Sequence, residues 1–426
     1  VFTYVFLTAL TTSVLLRVAL AYRQIRHVAQ HRGAVPAVFS DSISLSAHQK
    51  AADYTIAKSR FAMLSIALET VVVLGFTLLG GLQWLNQGVR DTEIGQPLLA
   101  GLILMGAVGL IGALLDLPLA FYRQFVIEAR FGFNRMTPRL FILDWLKQLA
   151  LGATLGSALV GGVLWLMQAA GAYWWIGAWI LWSVFNLLLI VLYPTVIAPL
   201  FNRFTPIESG AMRERIEGLL IRCGFSAKGL FVMDGSKRSS HGNAYFTGIG
   251  KAKRIVFFDT LLERLTGPQV EAVLAHELGH FKKHHVKKSL VLGLLISLVL
   301  LWTLHLLAGN TWFYTGLGVT PSLHSPNDAL ALVLFFLTLP YFTFFLNPLS
   351  ALLSRRHEFE ADRYAAEQTD HRDLVAALVK LYEDNAATLT PDPWHSAYYD
   401  SHPPASIRID RLMAHGAWLR PGSGAA

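Results

Sequence analysis

Long apolar runs separated by short polar segments dominate the chain. Seven of them, at 1–22, 62–86, 98–122, 149–168, 174–199, 289–308 and 329–353, are about 20 residues or longer. That length is enough to cross the hydrocarbon core of a bilayer as a helix. The segment between the fifth and sixth runs has a different rhythm. Residues 208–223 place Met212, Ile216, Leu219 and Leu220 on one side of a helix. Residues 230–233 and 254–259 are short β-rich runs, set off by turn signals at Asp234-Gly235, Gly248 and Gly250. Residues 267–288 read as a helix running straight into the sixth span. No internal repeat is present, and only residues 421–426 read as a flexible tail.

The polar segments alternate in charge. Arg23, Arg26, Arg32, Lys50, Lys58 and Arg60 crowd the first, against Asp41 and Asp53. The next is short and mixed; the third is basic again, with Arg123, Arg130, Arg135, Arg139 and Lys147. The long segment 201–288 is basic, whereas 310–328 has one acid and no Lys or Arg. Basic loops stay in the cytoplasm, which puts the N-terminus outside and the long loop and C-terminal segment inside. The first span opens without a Met, as in a trimmed chain. It lacks the marks of a signal peptide: no basic region precedes it, Arg17 lies within it, and no small-residue cleavage site follows.

Composition agrees with a multi-pass membrane protein. Hydrophobic residues make up 54% and charged residues 15%, against about 25% charged in soluble domains. Aromatic residues at 12% exclude a disordered chain, and Cys223, the single cysteine, excludes a disulfide scaffold. The net charge of +8 is read as basic loops on one membrane face, not as a nucleic-acid surface. Arg17, Glu69 and Asp116 fall inside apolar runs, where charges are costly. They pair with one another, sit near a headgroup, or line a polar cavity inside the bundle, and spacing does not choose between these.

The chemistry concentrates at His276-Glu277-Leu-Gly-His280. Two histidines one helical turn apart present both imidazoles on one face and can share a metal ion. Glu277 beside them can reach a metal-activated water. A third His six residues after the second is absent, since that position is Val286, and His284 sits too far along a straight helix. His284 and His285 are expected at the membrane surface. A better third ligand is Glu358, in the acidic helix beyond the seventh span. Asp362, one turn on, can accept the outer N–H of a ligating histidine. Glu360 points elsewhere, toward water or Arg355 or Arg356.

Together with His48–Thr55 (HQKAADYT), Phe131–Asn134 (FGFN), Tyr193–Asn202 (YPTVIAPLFN), Ser239–Phe246 (SSHGNAYF), HELGH, EFEAD and Ser401–Pro404 (SHPP), these residues resemble the type 1 CAAX prenyl proteases over essentially the whole chain. The resemblance implies an all-α membrane fold. Seven helices form a barrel around an intramembrane chamber, capped on the cytoplasmic side by a small α+β zinc domain of gluzincin type. It implies a domain order of 1–199 (spans one to five), 200–288 (metalloprotease domain), 289–353 (spans six and seven) and 354–426 (C-terminal cytoplasmic segment). It also gives His402 the part of a histidine that approaches the scissile carbonyl, and Arg408 that of an active-site arginine. Asn243 and Ala244 correspond to an edge segment that binds substrate backbone, and His241 is a possible fourth active-site histidine.

The expected activity is therefore zinc-dependent endopeptidase action near the membrane, on a peptide or protein that is prenylated in this family, with one zinc ion and no nucleic acid. A prenyl-independent quality-control protease is the nearest alternative. A transporter or channel with a structural metal site is the alternative from another class. The short outer loops and a C-terminus without a dilysine retrieval signal suggest a bacterial inner membrane.

Overall fold

The computed structural model describes every residue except 226–228, 248–253, 324 and 419–426. The turn signals expected at Gly248 and Gly250, and the tail 421–426, thus lie outside the described residues. The first half of the chain is helical: α1 (Phe2–His31), α2 (Leu45–Phe76), α3 (Gly81–Asp91), α4 (Pro97–Tyr122), α5 (Pro138–Ala169), α6 (Trp174–Leu192) and α7 (Ala198–Phe201). A mixed segment follows, with β1 (Phe204–Pro206), α8 (Ala211–Arg222), β2 (Gly229–Met233), β3 (Ala244–Thr247), β4 (Arg254–Phe258), α9 (Asp259–Leu262) and α10 (Gly267–Lys282). The chain then returns to helices: α11 (His285–Ala308), α12 (Thr311–Gly316), α13 (Asp328–Thr343), α14 (Asn347–Gln368), α15 (His371–Asp384), α16 (Pro393–Tyr399) and α17 (Ala405–Trp418).

Among the described residues, seven helices are long and apolar enough to span a bilayer: α1, α2, α4 with its π-wound continuation to Glu128, α5, α6 continuing to Phe201, α11, and α13 running on through α14. Their number and order match the apolar runs; several limits do not. The second span ends at Phe76 rather than at 86. Gly80 takes a left-handed φ of +83°, and a Cβ on Gly81 would stand 2.6 Å from the Gly75 carbonyl oxygen, so the Gly-Gly pair makes the turn into α3. At its other end α2 begins at Leu45, where the Ser44 side chain accepts the Ala47 N–H. Thr137 caps α5 in the same way, twelve residues before its apolar run begins.

Neighbouring helices pack pairwise, α1 on α2, α4 on α5, α5 on α6, α6 on α11, α11 on α13 and α13 back on α1. The π-wound end of α4 meets α2 and closes the barrel. The mixed segment builds a four-stranded sheet in the order β1-β2-β4-β3. The central pair is parallel, with Leu230 opposite Ile255, and both outer strands are antiparallel to their neighbours. Leu230, Ile255, Phe257, Val270, Leu274 and Leu278 share one core with Tyr364, Leu378 and Leu412. The residues beyond α13 thus fold onto the sheet and α10, although two membrane helices intervene in sequence.

The expected straight helix from 267 into the sixth span is broken. His284 adopts a left-handed φ of +58° between α10 and α11, so the two helices leave it in different directions.

Candidate metal centre and active site

A capping box starts α10: the Thr266 side chain accepts the backbone N–H of Gln269, whose side chain answers to the Thr266 N–H. The helix then crosses α14 closely because Gly279 faces Ala361. A Cβ at 279 would lie 2.9 Å from the Ala361 Cα. This close approach lets His276 and His280 of one helix reach Glu358 of the other.

The three side chains converge. His276 Nε2 and His280 Nε2 are 3.2 Å apart, and the Glu358 carboxylate lies 3.5 Å from the first and 3.3 Å from the second. One donor atom from each falls within 4.8 Å of the others, a span that a single cation can bridge. Glu358 Oε2 is buried and accepts no hydrogen bond among the described residues. A buried carboxylate oxygen without a hydrogen-bond donor is costly in a protein interior, and a cation held between the two imidazoles would satisfy it. The donor set therefore fits a metal.

Each histidine is held from behind. Asp362 Oδ1 accepts from His276 Nδ1 at 2.9 Å, as its position one turn beyond Glu358 anticipates. His280 has a support that the sequence did not announce. His285 Nδ1 lies 3.1 Å from His280 Nδ1, and His285 Nε2 lies 3.0 Å from Glu360. With Glu360 accepting from Nε2, Nδ1 of His285 is left to accept from His280, and His280 Nε2 keeps its lone pair toward the shared centre. His285 is buried, with His357 stacked on its ring at 4.0 Å. This corrects the membrane-surface expectation for His285, while His284 is exposed at the helix break. Glu360 does meet Arg356, at 3.4 Å, but His285 is its closer partner. Arg355 instead donates to the carbonyls of Ser396 and Asp400, tying α14 to the chain that carries His402.

Arg408 is buried behind the centre. Its guanidinium donates to both Asp362 oxygens, at 2.6 and 2.8 Å, and stands 3.6 Å from Glu358 Oε2. His402 is exposed, its Nε2 3.6 Å from Glu358 Oε1 and its Nδ1 3.0 Å from the Ser401 hydroxyl. Burial pushes the Glu277 carboxyl above its ordinary pKa, and the nearby His276 and His280 pull it back. Burial lowers the His276 pKa, but the hydrogen bonds that its ring donates to Asp362 and Glu358 outweigh it and hold the pKa at about 9.

Asn243 and Ala244 lie where the chain enters β3, an outer strand of the sheet that packs against α10. His241 does not join the metal cluster. It stacks on Phe133 at 4.3 Å, contacts Asn385 at 3.0 Å and faces Glu128 at 3.6 Å, which in turn accepts from the Tyr54 hydroxyl. Of the three intramembrane charges, Arg17 and Glu69 pair at 2.8 Å and both line a cavity of about 750 Å³ that reaches His402. Pairing and cavity lining thus hold together for these two. Asp116 is exposed on α4 and stands apart from them.

With this geometry in place, the chain compares as follows. The sequence profile described as the CAAX prenyl protease N-terminal region, with five membrane helices, matches residues 24–203. That of peptidase family M48 matches 206–415. A CAAX prenyl protease 1 homolog of Oryza sativa is 34% identical over 90% of this chain and 92% of its own length. CAAX prenyl protease 1 of Saccharomyces cerevisiae is 32% identical over 92% and 91%. The crystal structure of S. mikatae Ste24p superposes with a TM-score of 0.91 at 30% identity, covering 97% of this chain and 99% of that one. These relatives are eukaryotic, so the bacterial source expected from loops and tail is not borne out.

Proposed function

The chain belongs to the CAAX prenyl protease 1 branch of peptidase family M48 and is a multi-pass membrane metalloprotease; from that premise we propose that it binds one zinc ion through His276, His280 and Glu358 and cuts a prenylated peptide at the membrane. The observation that carries this is the convergence of two imidazoles and one carboxylate whose buried oxygen lacks a hydrogen-bond donor. Two nitrogens and one oxygen would suit zinc, which in catalytic sites of this donor type takes three protein ligands.

When bound, the ion polarises the scissile carbonyl and lowers the pKa of a water. Glu277 takes the proton of the attacking water and passes it to the leaving amine. His402, exposed beside Glu358, donates to the oxygen on which charge develops. Asp362 fixes the tautomer of His276. The resemblance makes Arg408 an active-site arginine, and its burial against Asp362 and Glu358 supports a positioning role, holding both carboxylates in register. Asn243 and Ala244 pair with substrate backbone, which the outer position of β3 allows.

The charge of the loops supports an N-terminus outside and the metal centre on the cytoplasmic side. The division at 1–199, 200–288, 289–353 and 354–426 belongs to the same reading, with the second and fourth parts working as one catalytic unit through their common core. The test is metal analysis of the purified protein, followed by mass-spectrometric mapping of products from one peptide with and without its isoprenoid. Stoichiometric zinc and strong preference for the prenylated form are expected. Equal cleavage of both would instead mark a prenyl-independent quality-control protease, and no cleavage of either would overturn the reading.

A further inference from the structure

The cavity that reaches His402 is lined by three basic and two acidic groups, Arg17, Lys58 and Arg123 against Glu69 and Asp400. Arg17 and Glu69 neutralise each other at 2.8 Å. Lys58 and Arg123 have no ion pair among the described residues. Glu128 lies near Lys58 but is occupied by the Tyr54 hydroxyl at 2.7 Å and faces His241. The Lys58 ammonium rests over the Tyr54 ring, 4.0 Å from its centre. Phe61 and Tyr122 stack at 5.7 Å and hold α2 against the end of α4 at the same level. Lys58 is thus held by an aromatic contact, and Lys58 and Arg123 line one cavity without carboxylate partners among the described residues.

Their placement on the helices is regular. Residues 55, 58, 59, 62, 65, 66 and 69 all line the cavity, which is a single face of α2 at helical spacing. Lys58 is therefore displayed to the chamber by the helix itself, and Arg123 marks the start of the π-wound stretch Arg123–Glu128. A low-dielectric cleft carrying unpaired positive charge concentrates anions. A cavity of about 750 Å³ is in the range that holds a short peptide.

We propose that Lys58 and Arg123 form an anion subsite that takes the free C-terminal carboxylate of the substrate, so that the enzyme measures a short, fixed distance back to the bond it cuts. This rests on the protease reading above and adds a specificity device to it: a chain end is selected over an internal segment or a blocked end. Lys58 and Arg123 act on binding, not on the chemical step.

The test uses two prenylated peptides of one sequence, one ending in a free carboxylate and one in a carboxamide, with the full-length zinc-loaded enzyme. The acid is expected to show kcat/KM about tenfold or more above the amide, chiefly through KM, the size of one charge-assisted contact. In Lys58→Met/Arg123→Gln the acid should fall to the level of the amide, while the amide keeps its wild-type value and so reports a folded, loaded enzyme. Equal turnover of acid and amide by the wild type would overturn the subsite and leave the protease reading intact. Loss of both substrates in proportion in the variant would assign these residues a structural role and also overturn it. Failure of the wild type on both peptides would count against the protease reading itself.

Discussion

The two ends of the barrel are made from the same helices and solve opposite problems. Away from the metal centre, Phe6 and Leu10 of α1, Val73 and Phe76 of α2, Leu104 of α4, Leu164 of α5 and Trp174 of α6 close on Leu304, Phe313 and residues 330–335 in one packed core. Toward the metal centre, α1 offers Arg17 and Gln24, and α2 offers Thr55, Lys58, Ser59 and Ser65, to a cavity. Lipid is as apolar as leucine, so tight van der Waals packing has to hold the closed end together. At the open end, polar side chains are tolerable because they face a water-accessible chamber. Stability and catalysis are therefore assigned to different halves of α1 and α2.

The largest expected effect separates chemistry from fold at the open end. Glu277→Gln should lower kcat by about 10³-fold, within the range for a general base. Zinc content and the melting midpoint should stay at wild-type values. Peptide cleavage at an unchanged rate would remove Glu277 from its assigned role. The closed end should behave in the reverse manner. Phe313 is fully buried in the plug, and Phe313→Ala should cost about 3–5 kcal/mol of stability. The surviving folded molecules should keep kcat within a factor of about two. A proportional loss of kcat would show that the plug is coupled to the metal centre and would break the comparison.

Much of this division was visible in the residues, for physical reasons. A helical turn places His276 with His280, and Glu358 with Asp362, whatever surrounds them, so the metal cluster could be read from spacing. Apolar runs gave the number of spans because each must cross a fixed thickness of hydrocarbon. They gave poor limits where a helix is half in lipid and half beside the chamber. The polar half of α2, from Leu45 to Arg60, fell outside the apolar window, and the Gly80-Gly81 turn was absorbed into it. The break at His284 had no local signal, since a left-handed residue is usually Gly or Asn, and that break is what brings His285 behind His280. β1 and β3, at three and four residues, were too short to show a pattern.

The support of His280 gives a smaller and sharper test. Glu360→Gln should weaken zinc about tenfold, the lower bound typical for a residue that orients a ligating histidine. Arg356→Gln, removing the exposed partner on the same carboxylate, should leave zinc affinity unchanged. Competitive titration against a chelator reads both. An unaltered affinity in Glu360→Gln would mean that packing alone orients His280.

The smallest signal comes from protons. In the protein's own field His276 holds its proton up to about pH 9, because Asp362 and Glu358 stabilise the imidazolium more than burial disfavours it. Zinc needs the neutral ring, so an ion arriving at pH 7 must displace that proton. Binding should release about one proton per zinc at pH 7, and the apparent affinity should rise about tenfold per pH unit until roughly pH 9, then level off. Calorimetric titrations in two buffers of different ionisation enthalpy give the count directly. Zero release at pH 7 would mean that His276 is already neutral, and that the carboxylates around it balance one another rather than charging the ring. A barrel whose open end is built around a pre-charged histidine would thus announce itself in the pH dependence of metal binding, while the closed end, which has no part in that equilibrium, should leave the proton count of Phe313→Ala the same.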